Sequence, residues 1–241
     1  MNRKKKILLT GASRGIGLDI VNTLIKKDYE LVVCSRILSP ELKKIISKNN
    51  SVEYFKVDLS SKQSIDPFLN SIKDKQFFGL INNAGYVREG ILATLPEVEI
   101  DKMISVNLKS AIILSRFFSR NIIKYKTSGR IINISSIISK RGFNGLSVYA
   151  ATKAGLNGLT LSLARELGRT GTTVNAVLPG FIETDMSSGL NDHQLNQILR
   201  RTPIKKLAEK KDVSSMVEYL LSDNASSITG QLIKIDGGNT V

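Results

Sequence analysis

The chain has 241 residues, 41% of them hydrophobic, which suits one α/β domain with a sizeable core. Lys and Arg number 35 against 21 Asp and Glu, a net charge of +14; this leaves nucleic acid, an acidic carrier protein or an anionic small molecule open as partners, beside a plain lysine-rich surface. The single Cys34 excludes an internal disulfide, and no apolar run reaches the roughly 20 residues of a membrane span.

The basic start, Met1 to Lys6, precedes an apolar run too short for a signal sequence, so a cytoplasmic protein is expected. Lys5–Thr10 reads as a first strand. The segment Gly11-Ala12-Ser13-Arg14-Gly15-Ile16-Gly17 follows and opens a helix to about Lys27. Glycines directly after a strand let backbone approach a pyrophosphate, which the free N–H groups of the helix then hold. The spacing is G-x-x-x-G-x-G rather than the commoner G-x-G-x-x-G. A second strand, Glu30–Ser35, carries Cys34 at a buried position and ends at Arg36. An acid here would bind ribose hydroxyls, whereas a base attracts a 2′-phosphate. Arg36 and Arg14 together point to NADP(H).

A helix over Leu38–Lys48 has Pro40 in its first turn, where proline is tolerated. The third strand, Val52–Val57, ends at Asp58-Leu59; Asp58 can accept from an adenine amino group or cap the helix that starts near Ser61. The fourth, Phe78–Ile81, is followed by Asn82-Asn83-Ala84-Gly85, small and amide residues suited to a backbone surface against a cofactor. A long helix covers Glu97–Lys124 with Asn107 near its middle, a poor helix-interior residue that kinks the helix or frees a carbonyl for a water. Strand five spans Arg130–Ser135, and strand six, Thr172–Leu178, leads into Pro179-Gly180-Phe181-Ile182-Glu183-Thr184. A polar stretch to Lys206 has the length of a lid over about 183–206 and contains His193, expected at the surface. A helix over Asp212–Leu221 and a strand over Gln231–Ile235 close the chain. Strands and helices alternate throughout, which predicts a single domain over 1–241: a Rossmann-like, doubly wound parallel sheet of about seven strands with helices on both faces.

The helix from Tyr149 to Arg169 carries the chemistry. Tyr149 and Lys153 stand four apart and share one helix face. Bringing a tyrosine from about 10 to near 7 takes roughly 4 kcal/mol. A lysine charge about 4 Å away supplies roughly that at an effective dielectric near 20. The pair can therefore make a general acid for neutral pH. Ser136 closes strand five and can hold a carbonyl oxygen beside the tyrosine. The apolar positions of this helix wrap more than one face, so part of it is expected to meet another subunit.

With these pieces the chain resembles the short-chain dehydrogenase/reductase family. The likeness rests on Thr10 to Gly17, Asn82 to Gly85, Asn107, Ser136, Tyr149 with Lys153, and Pro179-Gly180 with Thr184. It implies a catalytic tetrad of Asn107, Ser136, Tyr149 and Lys153; Ser136, rather than Ser135, stands thirteen residues before Tyr149. It implies cofactor contacts from Gly11, Ser13, Arg14, Gly15, Ile16 and Gly17, from Arg36, Asp58 and Leu59, and from Asn83, Ala84 and Gly85. Tyr149 and Lys153 join these, with Pro179, Gly180, Ile182 and Thr184; no metal is implied. Within the family, Pro179 to Met186 and Ile228-Thr229-Gly230 with Asp236-Gly237-Gly238 most resemble the β-ketoacyl carrier-protein reductases of fatty-acid synthesis. That implies an NADPH-dependent ketone reductase, a homotetramer, and an acidic carrier as partner. Thr127-Ser128 and Thr170 stand where those reductases often carry basic residues. A positive rim would instead draw on Arg200, Arg201, Lys205 and Lys206, with Lys124, Lys126 and Arg169. A reductase for a sugar, polyol or secondary-metabolite ketone is the alternative on the same scaffold. A non-catalytic, nucleic-acid-binding nucleotide sensor is the alternative of another class, and an intact tetrad argues against it.

Overall fold

The inner strands of the sheet are largely apolar runs because both of its faces are covered there. The structure, a computed structural model, describes residues 4–182 and 192–241. Its strands are β1 (Lys6–Thr10), β2 (Glu30–Ser35), β3 (Val52–Lys56), β4 (Gly79–Asn82), β5 (Arg130–Ile134), β6 (Thr173–Pro179) and β7 (Leu232–Ile235). They form one parallel sheet in the order β3-β2-β1-β4-β5-β6-β7. The helices are α1 (Gly15–Ile25), α2 (Pro40–Lys48), α3 (Lys62–Ser71), α4 (Glu97–Ile104), α5 (Ser110–Tyr125), α6 (Ser147–Leu167), α7 (Asp192–Arg201) and α8 (Lys210–Leu221). The doubly wound architecture expected from the alternation is the one found.

Side chains alternate across a strand, and β1 shows how that divides the core. Ile7 and Leu9 point into one cluster, with Ile20, Val21 and Leu24 of α1 and Val213, Val217 and Leu220 of α8. Leu8 points into the other, with Ile65 of α3, Leu114 and Phe118 of α5 and Leu163 of α6. All three β1 side chains are fully buried, each worth about 1.5–3 kcal/mol. Cys34 lies in the second cluster. Burial pushes its thiol up to about 12, against a smaller lowering by the Gly11 N–H.

The strand order reverses between β1 and β4, which opens a crevice at the carboxyl ends of the strands. Two elements differ from expectation in ways that shape this crevice. The long helix is broken at Asn107: α4 ends, a π-helical turn spans Ser105–Lys109, and α5 continues. Helix α6 begins at Ser147, so Tyr149 and Lys153 occupy its first two turns. Of the lid expected over 183–206, residues 183–191 lie outside the described residues, and α7 follows with an exposed His193. Among the described residues no helix is long and apolar enough to cross a membrane.

Candidate active site

The glycine loop between β1 and α1 is set by close backbone approach. Gly11 has φ +71°, and a Cβ on Gly17 would stand 2.1 Å from the Gly11 carbonyl oxygen and 2.5 Å from Asn83 Nδ2. Only glycine fits there. The first turn of α1 is not capped by the side chain of its N-cap residue, Arg14. Its N–H groups at Gly15, Ile16 and Gly17 face the crevice end of the sheet, a cradle that suits a pyrophosphate. The segment after β4 is pinned to this loop. Asn83 Nδ2 donates to the carbonyls of Thr10 (2.9 Å) and Gly11 (3.1 Å), while the N–H groups of Asn83 and Ala84 both donate to Thr10 Oγ1 at 3.0 Å. The Ser13 carbonyl accepts from Ser39 Oγ at 2.7 Å, tying the loop to the start of α2.

At the β2 and β3 ends the groups are polar and open. Arg14 and Arg36 are exposed, Asp58 is half-buried and Leu59 is buried. Asp58 Oδ1 accepts from Ser60 N (2.9 Å) and Ser60 Oγ (2.7 Å), so it caps its own turn rather than α3. Burial would raise the Asp58 carboxyl, but the Ser60 hydrogen bonds and the charges of Arg36 and Lys102 hold it below its ordinary value. Arg36 and Lys102 thus act on the same carboxylate. Lys102 stands over the Tyr86 ring at 4.3 Å, and Tyr86 donates its hydroxyl to Glu99 at 2.6 Å.

At the β4 to β6 ends the tetrad candidates come together. A Cβ on Gly85 would stand 3.7 Å from Lys153 Nζ and 3.9 Å from Asn107 Oδ1. Asn107 is buried in the π turn, where Ser110 N–H reaches back to the Ser105 carbonyl. Such turns recur at functional sites. Its side chain clamps the neighbouring loop: Oδ1 accepts from Tyr86 N (2.7 Å), and Nδ2 donates to Tyr86 O (2.8 Å) and Thr152 Oγ1 (3.1 Å). Ser136 caps the short helix Ile137–Ser139, accepting from Ile138 N at 3.2 Å, and its hydroxyl acts on the Tyr149 phenol, drawing it down. Ser135 differs. It is buried and donates to the Lys153 carbonyl at 3.0 Å, so it fastens α6 to β5. The geometry therefore separates Ser136 from its neighbour as the sequence spacing does.

One expectation is corrected. Lys153 does not lower Tyr149 here: burial pushes the phenol up to about 12, and only the Ser136 hydrogen bond works against it. Lys153 Nζ donates to the Ile134 carbonyl at 2.8 Å and lies 5.7 Å from the tyrosine ring centroid. Burial brings the lysine itself down to about 8. A backbone acceptor at the end of β5 thus receives the hydrogen bond that helical spacing alone assigns to the tyrosine.

Pro179 ends β6 buried in the sheet; beyond it, Gly180 N donates to Ile235 O at 2.8 Å, and Ile182 is buried. Thr184 lies outside the described residues. Sequence reasoning missed Thr10, Tyr86 and Thr152 as the anchors of Asn83, Ala84 and Asn107. It also missed the buried ladder in which Asn82 Nδ2 donates to Asn133 Oδ1 and Asn133 Nδ2 donates to Thr160 Oγ1, both at 2.8 Å. That ladder ties β4, β5 and α6 together. Its only sequence signal is one polar residue inside each apolar strand.

A family model described as enoyl-(acyl carrier protein) reductase matches residues 11–240. The chain belongs to this family, a branch of the short-chain dehydrogenases/reductases. It is an oxidoreductase of that family. Short-chain reductases named 3-oxoacyl-[acyl-carrier-protein] reductase FabG are similar over nearly their whole lengths. That of Vibrio cholerae is 37% identical over 99% of this chain and 98% of its own. That of Escherichia coli is 38% identical over 99% and 98%. Among solved structures, a 4-hydroxyisoleucine dehydrogenase complexed with NADH superposes with TM-score 0.94 at 28% identity, covering 98% of this chain and 99% of the other. A putative 2-deoxy-d-gluconate 3-dehydrogenase from Agrobacterium tumefaciens with bound NADP gives 0.91 at 30% identity, covering 98% and 96%.

Proposed function

We propose that the chain is a cytoplasmic, NADPH-dependent ketone reductase that converts a 3-oxoacyl group on acyl carrier protein to the 3-hydroxyacyl form in fatty-acid synthesis. The observation that carries it is the convergence of Ser136, which acts on the Tyr149 phenol, with a buried Lys153 and Asn107 beside Gly85, at the mouth of a glycine cradle shaped for a dinucleotide. The names of relatives 36–38% identical over nearly the whole chain support the substrate. Arg36 and Arg14, exposed beyond β2 and in the glycine loop, support a 2′-phosphate on the cofactor.

The nicotinamide, when bound, supplies hydride to the ketone carbon. The Ser136 and Tyr149 hydroxyls receive the ketone oxygen between them, and Tyr149 gives it the proton. A phenol pushed up to about 12 holds that proton at neutral pH until the oxygen takes it. Lys153, at about 8, is mostly charged at neutral pH and, facing Gly85 across the crevice, is placed to bind the ribose of the nicotinamide. Asn107 holds the Tyr86 backbone with its side chain, and its main chain in the π turn positions the water that returns the proton.

For a carrier partner, the positive rim is narrower than its sequence implies. Lys124 pairs with Asp74 at 3.0 Å and Lys206 with Glu209 at 2.7 Å. Lys126, Arg169, Arg200, Arg201 and Lys205 stay exposed. The outward faces of α5 and α6 leave Ile112 and Leu161 45% and 47% exposed. These faces support a homotetramer, and a 26.5 kDa particle in light scattering would refute it.

The deciding experiment compares NADPH oxidation with a carrier-linked 3-oxoacyl substrate, a small thioester and a sugar ketone, over a salt series. The carrier-linked substrate is expected to lead at low salt and to lose its advantage as salt rises. Turnover of the sugar ketone with neither thioester touched would instead favour the reading that the dehydrogenase structures support, a small polar ketone.

A further inference from the structure

Away from the tetrad, a cleft of about 600 Å³ is lined by Lys140, Arg141, Lys234, Asn239, Thr240 and Val241. No Asp or Glu side chain lines it, and among the described residues none of its three cations pairs with an Asp or Glu. The three cations outnumber the one negative group on the cleft, the Val241 terminal carboxylate, so an anion that enters meets a net positive wall.

The cations are held, not loose. Lys234 projects from the end of β7, paired in register with Leu178, and its Nζ donates to the Thr240 carbonyl at 2.9 Å. Arg141 reaches the Asn239 carbonyl at 3.5 Å and stands 5.5 Å from the Phe143 ring centroid. Asp236 fixes the turn between them, accepting from the N–H groups of Gly238 and Thr240, both at 3.0 Å. Lys140 ends the short helix Ile137–Ser139 that Ser136 caps. The cleft therefore lies at the carboxyl edge of the sheet, on the same loop as Ser136. Arg141 is five residues beyond Ser136, a span of at most about 17 Å.

We propose that this cleft is an anion subsite that takes a phosphate ester carried at the end of the substrate remote from its ketone. The proposal rests on the thioester reading above: a carbonyl held at Ser136 and Tyr149 on a long phosphorylated arm leaves its phosphate within reach of Lys140, Arg141 and Lys234.

The test uses two acetoacetyl thioesters that differ by one group, pantetheine and 4′-phosphopantetheine, each with NADPH and the full chain. One charge-assisted hydrogen bond corresponds to roughly tenfold or more in affinity, so KM for the phosphorylated thioester is expected to be at least about tenfold lower. Lys140→Gln and Arg141→Gln together should remove most of that difference and leave kcat and KM for the pantetheine thioester unchanged. Lys234→Gln repeats the test from the opposite wall. Inorganic phosphate should compete with the phosphorylated thioester and spare the other. Equal KM values in the unaltered protein, a difference that survives the variants, or equal inhibition of both thioesters by phosphate would overturn the subsite. Failure to turn over either thioester would overturn the substrate reading and the subsite with it, and the silent unphosphorylated control would identify that case.

Discussion

At the β5–α6 end of the crevice, Lys153 lies inside the protein and Tyr149 is half-buried, and the surrounding protein shifts both away from their charged forms. At the β2–β3 end, Arg14 and Arg36 stand in solvent, and Asp58 is governed by hydrogen bonds to Ser60 and by neighbouring charge. Burial makes a side chain chemically unusual, and the fold bears the cost of holding it there. Exposed charge discriminates between ligands at little cost to the fold, because water screens it until a ligand arrives.

The sharpest way to break that contrast is Tyr149→Phe. It removes the proton and keeps the ring. General acid catalysis contributes about 10²–10⁴-fold, and a kcat loss of that order is expected with cofactor affinity retained. Rates within a few-fold of the unaltered protein would take Tyr149 out of the reaction. At the other end, Arg36→Asp is expected to erase or reverse a preference for NADPH over NADH of roughly 10–150-fold, the worth of one charge-assisted hydrogen bond. Stability should not change there. Equal kcat/KM for both cofactors before mutation would remove the role of Arg36.

Lys153→Met tests the cost of burial directly. The lysine falls from an ordinary 10.5 to about 8, which corresponds to about 3 kcal/mol against the charged form at neutral pH. Losing the bond to Ile134 returns about 1 kcal/mol. The inactive variant should therefore be more stable than the parent by about 2 kcal/mol in urea unfolding of the cofactor-free protein at pH 7. The sign with pH follows. Between about 8 and 10.5 the native lysine has released a proton that the unfolded chain still holds, so the parent gains stability as pH rises and the gap closes. A gap that is absent at pH 7, or that widens with pH, would show that the site does not penalise the charge. The smallest effect concerns Asp58. Asp58→Asn keeps one acceptor for Ser60 and should cost under about 1 kcal/mol of stability. The same unfolding curves check it.

The sheet and its order of elements were legible because β-strands buried on both faces read as unbroken apolar runs and the helices between them carry a period. Tyr149 and Lys153 were legible for the same local reason, four residues on one helix. What Lys153 does with its charge was not legible, since the competing Ile134 carbonyl comes from another strand. The anchors of Asn107 illustrate the same limit: Tyr86 and Thr152 lie 21 and 45 residues away in sequence, and nothing local marks either as a partner. The break in the long helix was foreshadowed by an asparagine at a poor position, though not its form as a π turn.

Cys34 has a practical consequence for studying this protein. It is the only thiol in the chain, fully buried and pushed up to about 12. An exposed cysteine titrates near 8.5, so at neutral pH its thiolate is roughly a thousandfold or more abundant than that of Cys34. Alkylating reagents would pass over the native residue and react with one introduced at the surface. The natural sequence is thus already a silent background for labelling. Ile112→Cys would place the single reactive group on the outward face of α5. If α5 meets another subunit as proposed, its labelling rate would rise on dilution and time that subunit's departure; a rate independent of concentration would speak against the tetramer.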